Sequence, residues 1–423
     1  MVTRSQEPRP FAAPVGRRTV AAGIAAALGS LRLVAPTEAK EPEVADVSYS
    51  VRFEREMRAD LIRRLDGARW SDAITADWRY GMNKEFLQSL VTFWRKMYDF
   101  DAAEARLNAL PQFRANVRGF GIHYVYLKGR GAHPTPLLLM NGWPSSFVEY
   151  RKLAPVLADP AAHGGAPDQT FDVVMPALPG FGFSDRPARP GEVWAEDLFH
   201  GLMTAHLGYK SYVASGTDIG AGVATRLALK HPDVVRGIHI ASVANPPLTP
   251  ASRPASAAEQ RYQANAVRWE VEEGAYEHVH YTKPQTLAFA LNDSPTGLAS
   301  WIGEKYHSWS DHGPDLFATF PAEMLLDTLM IYWVTGTIGS SMRLYYDHAH
   351  FRPVFQPGDH VSVPTAICLW PKDLVTPPRE WAERFYNVKQ YVVQARGGHF
   401  PAWEAPDIYA SDLRRFVREL EKA

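Results

Sequence analysis

The sequence predicts an α/β fold: a mostly parallel sheet with helices on both faces, a helical lid inserted late in the chain and a helical N-terminal region. Three observations carry this. From about residue 121 onward, short β-branched or apolar runs alternate with amphipathic helices. That rhythm pauses between about 246 and 359, where the chain is helical, aromatic and Pro-marked. Residues 41–130 show mostly helical periodicity. Continuous apolar strands separated by helices indicate a parallel sheet covered on both sides.

Residues 1–39 read as an export signal. A polar stretch with Arg17-Arg18 leads into Thr19–Leu31, a run of mostly Ala, Gly, Val, Ile and Leu, followed by Pro36 and the small-x-Ala pattern Thr37-Glu38-Ala39. The paired arginines point to a twin-arginine route and a periplasmic or secreted destination. An Ala-rich leader without export and an N-terminal membrane anchor are the competing readings. The apolar run spans 13 residues, short of the ~20 that cross a bilayer. The single Cys368 can form no internal disulfide, which suits export after folding and a cytoplasmic protein equally.

Residues 40–130 are expected to pack on the core as a helical collar. Glu54–Leu65 places Met57, Leu61, Ile62 and Leu65 on one face. Lys84–Tyr98 follows Asn83, a good N-cap, and stacks Phe86, Leu87, Leu90, Val91, Trp94 and Met97. Asp101 with Glu104 resembles a capping box opening a third helix, which stops before Pro111. The core follows in two parts, residues 131–245 and 360–423, separated by the lid at 246–359. Predicted strands are Ile122–Leu127, Pro136–Met140, Phe171–Met175, Tyr212–Ser215, Gly237–Ser242, Thr365–Trp370 and Gln390–Val393. Amphipathic helices lie between them, such as Trp194–Leu207 ending at Gly208 and Gly220–His231 ending at Pro232.

Composition narrows the function. With 45 basic against 46 acidic residues and no basic block, nucleic acid is a poor partner. Twelve Trp, 18 Tyr and 20 Phe suit a deep apolar pocket, although an aromatic core would use them too.

The chemistry sits in loops just beyond strand ends. Gly216-Thr217-Asp218-Ile219-Gly220 follows one strand and opens a small-residue helix, the setting of a nucleophile elbow. Its central residue is Asp, a carboxylate already ionised at neutral pH that can attack carbon without an activating base. The helix N-terminus behind it favours the anion. Gly222 is expected to let that helix approach the sheet closely. The strand Leu137–Met140 ends in the sharp loop Asn141-Gly142-Trp143-Pro144, whose Trp143 N–H, with that of Ile219, would form an oxyanion hole. Asp373 follows the strand Thr365–Trp370, and His399 follows the last strand in Gly397-Gly398-His399-Phe400. The chain order is nucleophile, acid, histidine, each where open α/β sheets place ligands.

Longer stretches carry a resemblance. Pro111-Gln112-Phe113, Asn141-Gly142-Trp143-Pro144, Gly180-Phe181-Gly182-Phe183-Ser184 and Thr282-Lys283-Pro284 are four of them. Leu291-Asn292-Asp293-Ser294-Pro295, Ile331-Tyr332-Trp333, Thr335-Gly336-Thr337 and Arg396-Gly397-Gly398-His399-Phe400 complete the set. Over residues 44–423 the sequence resembles the microsomal-type epoxide hydrolases, enzymes of the α/β-hydrolase fold. The resemblance implies a triad of Asp218, Asp373 and His399. It also implies two lid tyrosines acting as acids, which by their flanking residues fall on Tyr276 and Tyr345. Three departures accompany it. Family members commonly have His where this chain has Asn141, the mammalian microsomal enzymes carry Trp where it has Ile219, and the relay acid is Asp373 rather than Glu.

The expected reaction opens an apolar epoxide to a vicinal diol through an ester on Asp218, hydrolysed by water that His399 activates. It requires no metal and no organic cofactor. The expected partners are the epoxide and water, without nucleic acid or a stable membrane span, and with a homo-oligomer left open. A haloalkane-type dehalogenase on the same fold and a silent apolar-ligand-binding protein are the rival readings. Asp347-His348-Ala349-His350 could suggest a metal, but without a companion ligand cluster it reads as a solvated loop. Tyr346 competes with Tyr345, and only one of two helical neighbours should face a site.

Overall fold

A computed structural model describes residues 47–165, 169–249 and 252–422; the expected export signal, residues 1–39, lies outside them. All seven predicted strands form, and two more precede them. In chain order they are β1 (Val47–Tyr49), β2 (Gln112–Val117), β3 (Phe120–Leu127), β4 (Thr135–Met140), β5 (Phe171–Pro176), β6 (Tyr212–Gly216), β7 (Val235–Ile240), β8 (Val361–Leu369) and β9 (Tyr386–Val393). They make one sheet in the order β1-β2-β3-β5-β4-β6-β7-β8-β9. From β5 through β9 every pairing is parallel, whereas β1, β2 and β3 join antiparallel.

The central strands explain this order. Leu137, Leu138 and Leu139 of β4 and Val173 and Val174 of β5 are fully buried, as strands sandwiched between two helical layers must be. The expectation that residues 41–130 are mostly helical holds for three helices, Arg55–Asp66, Lys84–Lys96 and Phe100–Leu107. It leaves out β1 and β2. Gln-Phe-Arg-Ala-Asn-Val in β2 alternates polar and apolar residues at the period of a strand, a signal the mostly helical reading passed over, and it pairs with β3. Asn83 caps the second helix, its side chain accepting from Phe86 N–H at 2.8 Å. The third helix is capped by Asp99 instead of Asp101; Asp101 pairs with Arg58, and Glu104 accepts from Phe53 N–H and Arg58.

Seven helices between Ala257 and His350 build the lid. One buried carboxylate ties lid, core and N-terminal region together. Asp327, in the lid helix Ala322–Thr335, accepts from Tyr98 Oη at 2.9 Å, Arg106 Nη2 at 2.8 Å and Arg151 Nη1 at 2.9 Å. The lid also reaches the strand-end loops. Tyr332 Oη donates to the Ser145 carbonyl at 3.3 Å and Ser340 Oγ to the Gly180 carbonyl at 2.5 Å. The expected loop at Asp347–His350 is the last turn of the lid helix Ile338–His350. There His348 accepts from Arg352 and His350 contacts the Tyr346 carbonyl.

Candidate active site

The β6 strand delivers Asp218 to the tip of the turn, and Asp218 itself holds the left-handed backbone at φ 50°. A non-glycine residue there is held against its preference, costing of order 1–3 kcal/mol, and such strain gathers at functional sites. The helix Asp218–Lys230 starts at this residue, so its first N–H groups, Ile219 included, have no partner within the helix. The close approach expected at Gly222 occurs at Gly220. A Cβ on Gly220 would lie 2.6 Å from the Met140 carbonyl carbon, while one on Gly222 would meet nothing within 4 Å.

From β4 the loop folds back over Asp218. Trp143 N–H donates to Asp218 Oδ1 at 2.9 Å. Asn141 Nδ2 donates to the Gly142 carbonyl at 3.1 Å, so this residue does brace the loop. On the other side, β8 and β9 bring Asp373 and His399 together. His399 Nδ1 lies 2.7 Å from Asp373 Oδ1, and Nε2 lies 3.3 Å from Asp218 Oδ2. The two ring nitrogens therefore face two carboxylates. Burial pushes the imidazole toward neutrality, but the charges and hydrogen bonds of Asp373 and Asp218 outweigh it and hold its pKa well above the ordinary value.

Tyr276, in the lid helix Ala275–Thr282, and Tyr345, in Ile338–His350, are both buried, 4% and 6% exposed. The Tyr276 ring stacks on Trp143 at 5.3 Å, and the Tyr345 ring meets Trp143 edge-on at 6.5 Å and Tyr276 at 6.3 Å. Burial first, and then nearby negative charge including Asp218, raises both phenols well above their usual pKa. Each keeps its proton and can donate it. Tyr346 is less buried and stacks on His350 at 4.0 Å, so Tyr345 is the residue at the site.

Thus Asp218, Asp373, His399, Trp143, Ile219, Tyr276 and Tyr345 share one locus, with the lid phenols packed over the loop that contacts Asp218. Sequence reasoning missed four residues around them. Trp309 lies edge-on to His399 at 5.1 Å and 4.9 Å from Tyr276, and its carbonyl accepts from His399 N–H at 2.8 Å. Glu404 gathers the N–H groups of Asp311, Gly398 and Phe400 at 2.6, 2.9 and 2.8 Å, fixing the histidine loop. A carboxylate five residues after His399, behind Pro401, was a readable capping signal. Glu149 is buried under the Trp143 loop and accepts from Ser145 Oγ at 2.5 Å. His280 is fully buried beside both lid tyrosines. A cavity of about 300 Å³ lined by Pro179, Arg189, Trp194, Arg343, Asp347 and His348 lies apart from these groups. The convergence of side chains, not cavity size, locates the site.

The parallel sheet, the Asp218–His399–Asp373 cluster at its strand ends and the inserted helices define an α/β hydrolase, and the alpha/beta hydrolase fold family model matches residues 135–406. The epoxide hydrolase N terminus model matches residues 47–150. A Stigmatella aurantiaca protein provisionally assigned as an epoxide hydrolase is 39% identical over 85% of this chain and 82% of its own length. Epoxide hydrolase 1 of Sus scrofa is 32% identical over 86% of each chain. The crystal structure of juvenile hormone epoxide hydrolase from the silkworm Bombyx mori superposes with a TM-score of 0.80 at 29% identity, covering 89% of this chain and 95% of that one. The chain belongs to the epoxide hydrolase family of the α/β-hydrolase fold, of microsomal type.

Proposed function

We propose that this enzyme hydrolyses an apolar epoxide to a vicinal diol through a covalent ester on Asp218. The observation that carries the reading is the division of labour between the two Asp218 oxygens. Oδ1 is held by the Trp143 N–H, while Oδ2 lies on the His399 side, free of that backbone donor. In the first step Oδ2 attacks a ring carbon, the C–O bond breaks, and Tyr276 and Tyr345 hydrogen-bond and protonate the departing oxygen. The product is a glycol ester whose carbonyl oxygen, Oδ1, already sits at its backbone donor.

Esterification removes the Asp218 negative charge. One of the two carboxylates that hold His399 protonated is then gone, so the imidazole moves toward its basic form as the ester needs a base. His399, oriented by Asp373, takes a proton from water, which adds to the ester carbonyl. The oxyanion on Oδ1 is received by the N–H groups of Trp143 and Ile219, and its collapse breaks the bond to Oδ2, which leaves as a diol hydroxyl with the proton His399 took from water. The proton that His399 gives up on esterification restores the phenol spent in the first step.

Single turnover in ¹⁸O-water tests this. The label should enter Asp218 and be absent from the first diol released, because the diol takes Oδ2. His399→Gln should form the ester and stall, giving a mass adduct on the elbow peptide. Full label in the first diol, with no adduct in the variant, would overturn the ester route. Displacement of halide is the reading to separate by assay, since Trp143 Nε1 is buried without a protein partner and could face a leaving halide. The two protonated phenols suit an oxygen leaving group instead, so styrene oxide should turn over and 1-chlorohexane should not. We also propose export by the twin-arginine route. No helix among the described residues is long and apolar enough to cross a membrane, and fractionation of expressing cells tests the destination.

A further inference from the structure

His280 lies one helical turn beyond Tyr276 on the lid helix Ala275–Thr282, hence on the same face. Its ring is fully buried and enclosed by site residues: Trp143 at 4.8 Å, Tyr345 at 5.0 Å and Tyr276 at 5.4 Å between centroids. On its remaining side Trp301 Nε1 donates to His280 Nε2 at 3.3 Å. An indole nitrogen can only donate, so Nε2 must accept, and the proton of the neutral ring sits on Nδ1. Burial, together with the charge of Lys305, lowers the imidazole pKa to about 3, so the ring stays neutral. Nδ1 is therefore a buried N–H donor, and no protein partner meets it. Buried donors are nearly always paired, and a binding site built around one rejects ligands that leave it unpaired.

We propose that His280 Nδ1–H reads the substrate, donating to an acceptor oxygen borne beside the oxirane. The preferred substrate class becomes epoxides carrying a carbonyl or ether oxygen next to the ring, in preference to plain hydrocarbon epoxides. This rests on the epoxide reading above and goes beyond it, because neither triad nor phenols distinguish the two kinds of substrate. Trp301 is then a positioning residue, since its indole sets which nitrogen of His280 carries the proton.

The test compares diol formation from glycidyl butyrate and from 1,2-epoxyoctane, chains of equal length with and without the ester oxygens. In His280→Phe, which keeps an aromatic ring but has no donor, the ratio of kcat/KM for ester over hydrocarbon should fall roughly fivefold to tenfold, the effect of one neutral hydrogen bond. In His280→Asn the amide nitrogen stands as many bonds from Cβ as Nδ1 does, so the ratio should recover even if both absolute rates drop. A ratio unchanged in His280→Phe, whether both rates fall together or neither moves, would overturn the proposal and leave His280 as packing. So would a lowered ratio that His280→Asn does not restore. Absence of diol from both substrates with the wild-type enzyme would instead defeat the epoxide reading, and this inference with it.

Discussion

Alanine at Gly142 should disarm the enzyme without unfolding it. A Cβ at this position would lie 2.6 Å from Cγ and 2.7 Å from Cβ of Asp218, and closer still to Oδ1. Ordinary carbon contacts are about 3.5–4.0 Å, so loop and nucleophile must separate by about 0.8 Å or more. Rotating the Asp218 side chain does not remove the conflict, because its Cβ is already too near. The separation also stretches the 2.9 Å bond from Trp143 N–H to Oδ1. Misplacing a reacting group by about 1 Å costs about 10²-fold, so kcat/KM should fall about 100-fold, or about 2.7 kcal/mol of transition-state stabilisation. Gly142 does not hold a left-handed backbone, so the substitution adds no torsional strain and the melting temperature should stay within a few degrees. Gly313→Ala, where a Cβ meets nothing within 4 Å, serves as the control. Stopped-flow alkylation rates and thermal melts read both effects. Gly142→Ala with wild-type Tm and activity within threefold would refute the idea that this contact sets the nucleophile.

Either Tyr276→Phe or Tyr345→Phe should slow ester formation by about tenfold or more, and the double variant by about 10²–10⁴-fold, the span of general acid catalysis. Rapid-quench measurement of the adduct reads this; a double variant as fast as the wild type would remove the phenols from the mechanism. Burial raises the Glu149 carboxyl from 4.5 to about 7, opposed by the Ser145 hydrogen bond. The stability linked to it is fully present below pH 4.5 and is lost as pH rises through about 7. Glu149→Gln, neutral at every pH, should flatten that part of the Tm-against-pH curve, and an unchanged slope would count against the assignment. Gly222→Ala, inside the elbow helix with open space around the added methyl, should raise stability by about 0.5–1 kcal/mol; denaturant titration gives the sign, and a loss would mean the helix does need glycine there.

The parts legible in the sequence share one property: their signal is local. The elbow glycines, the Asn141–Pro144 loop and the Gly397–Phe400 loop each follow an apolar strand within a few residues, and chain order alone gives their roles. Tyr276 and Tyr345 carried no such signal and were placed through family likeness. Trp309, Glu149 and His280 were silent because their meaning depends on partners far along the chain. Trp309 serves His399, and His280 serves Trp143 and Trp301 across three separate elements. The strand β2 was missed for a different reason, since its local alternation of polar and apolar residues lay inside a region read as helical. The Gly222 expectation shows a different limit. Residues two apart on a helix look alike in sequence, and only the direction each points decides that Gly220 meets β4.

The binding of Asp327 by Tyr98, Arg106 and Arg151 makes the lid hard to transplant. A cap segment grafted from a relative to reshape the pocket would arrive with its keystone acid facing whatever residues the recipient supplies. A buried charge that loses its partners costs about 3–5 kcal/mol, comparable with much of the margin by which a domain stays folded. Engineers seeking new substrates should therefore exchange single residues lining the cleft, or move the cap together with the stretch from Tyr98 through Arg151.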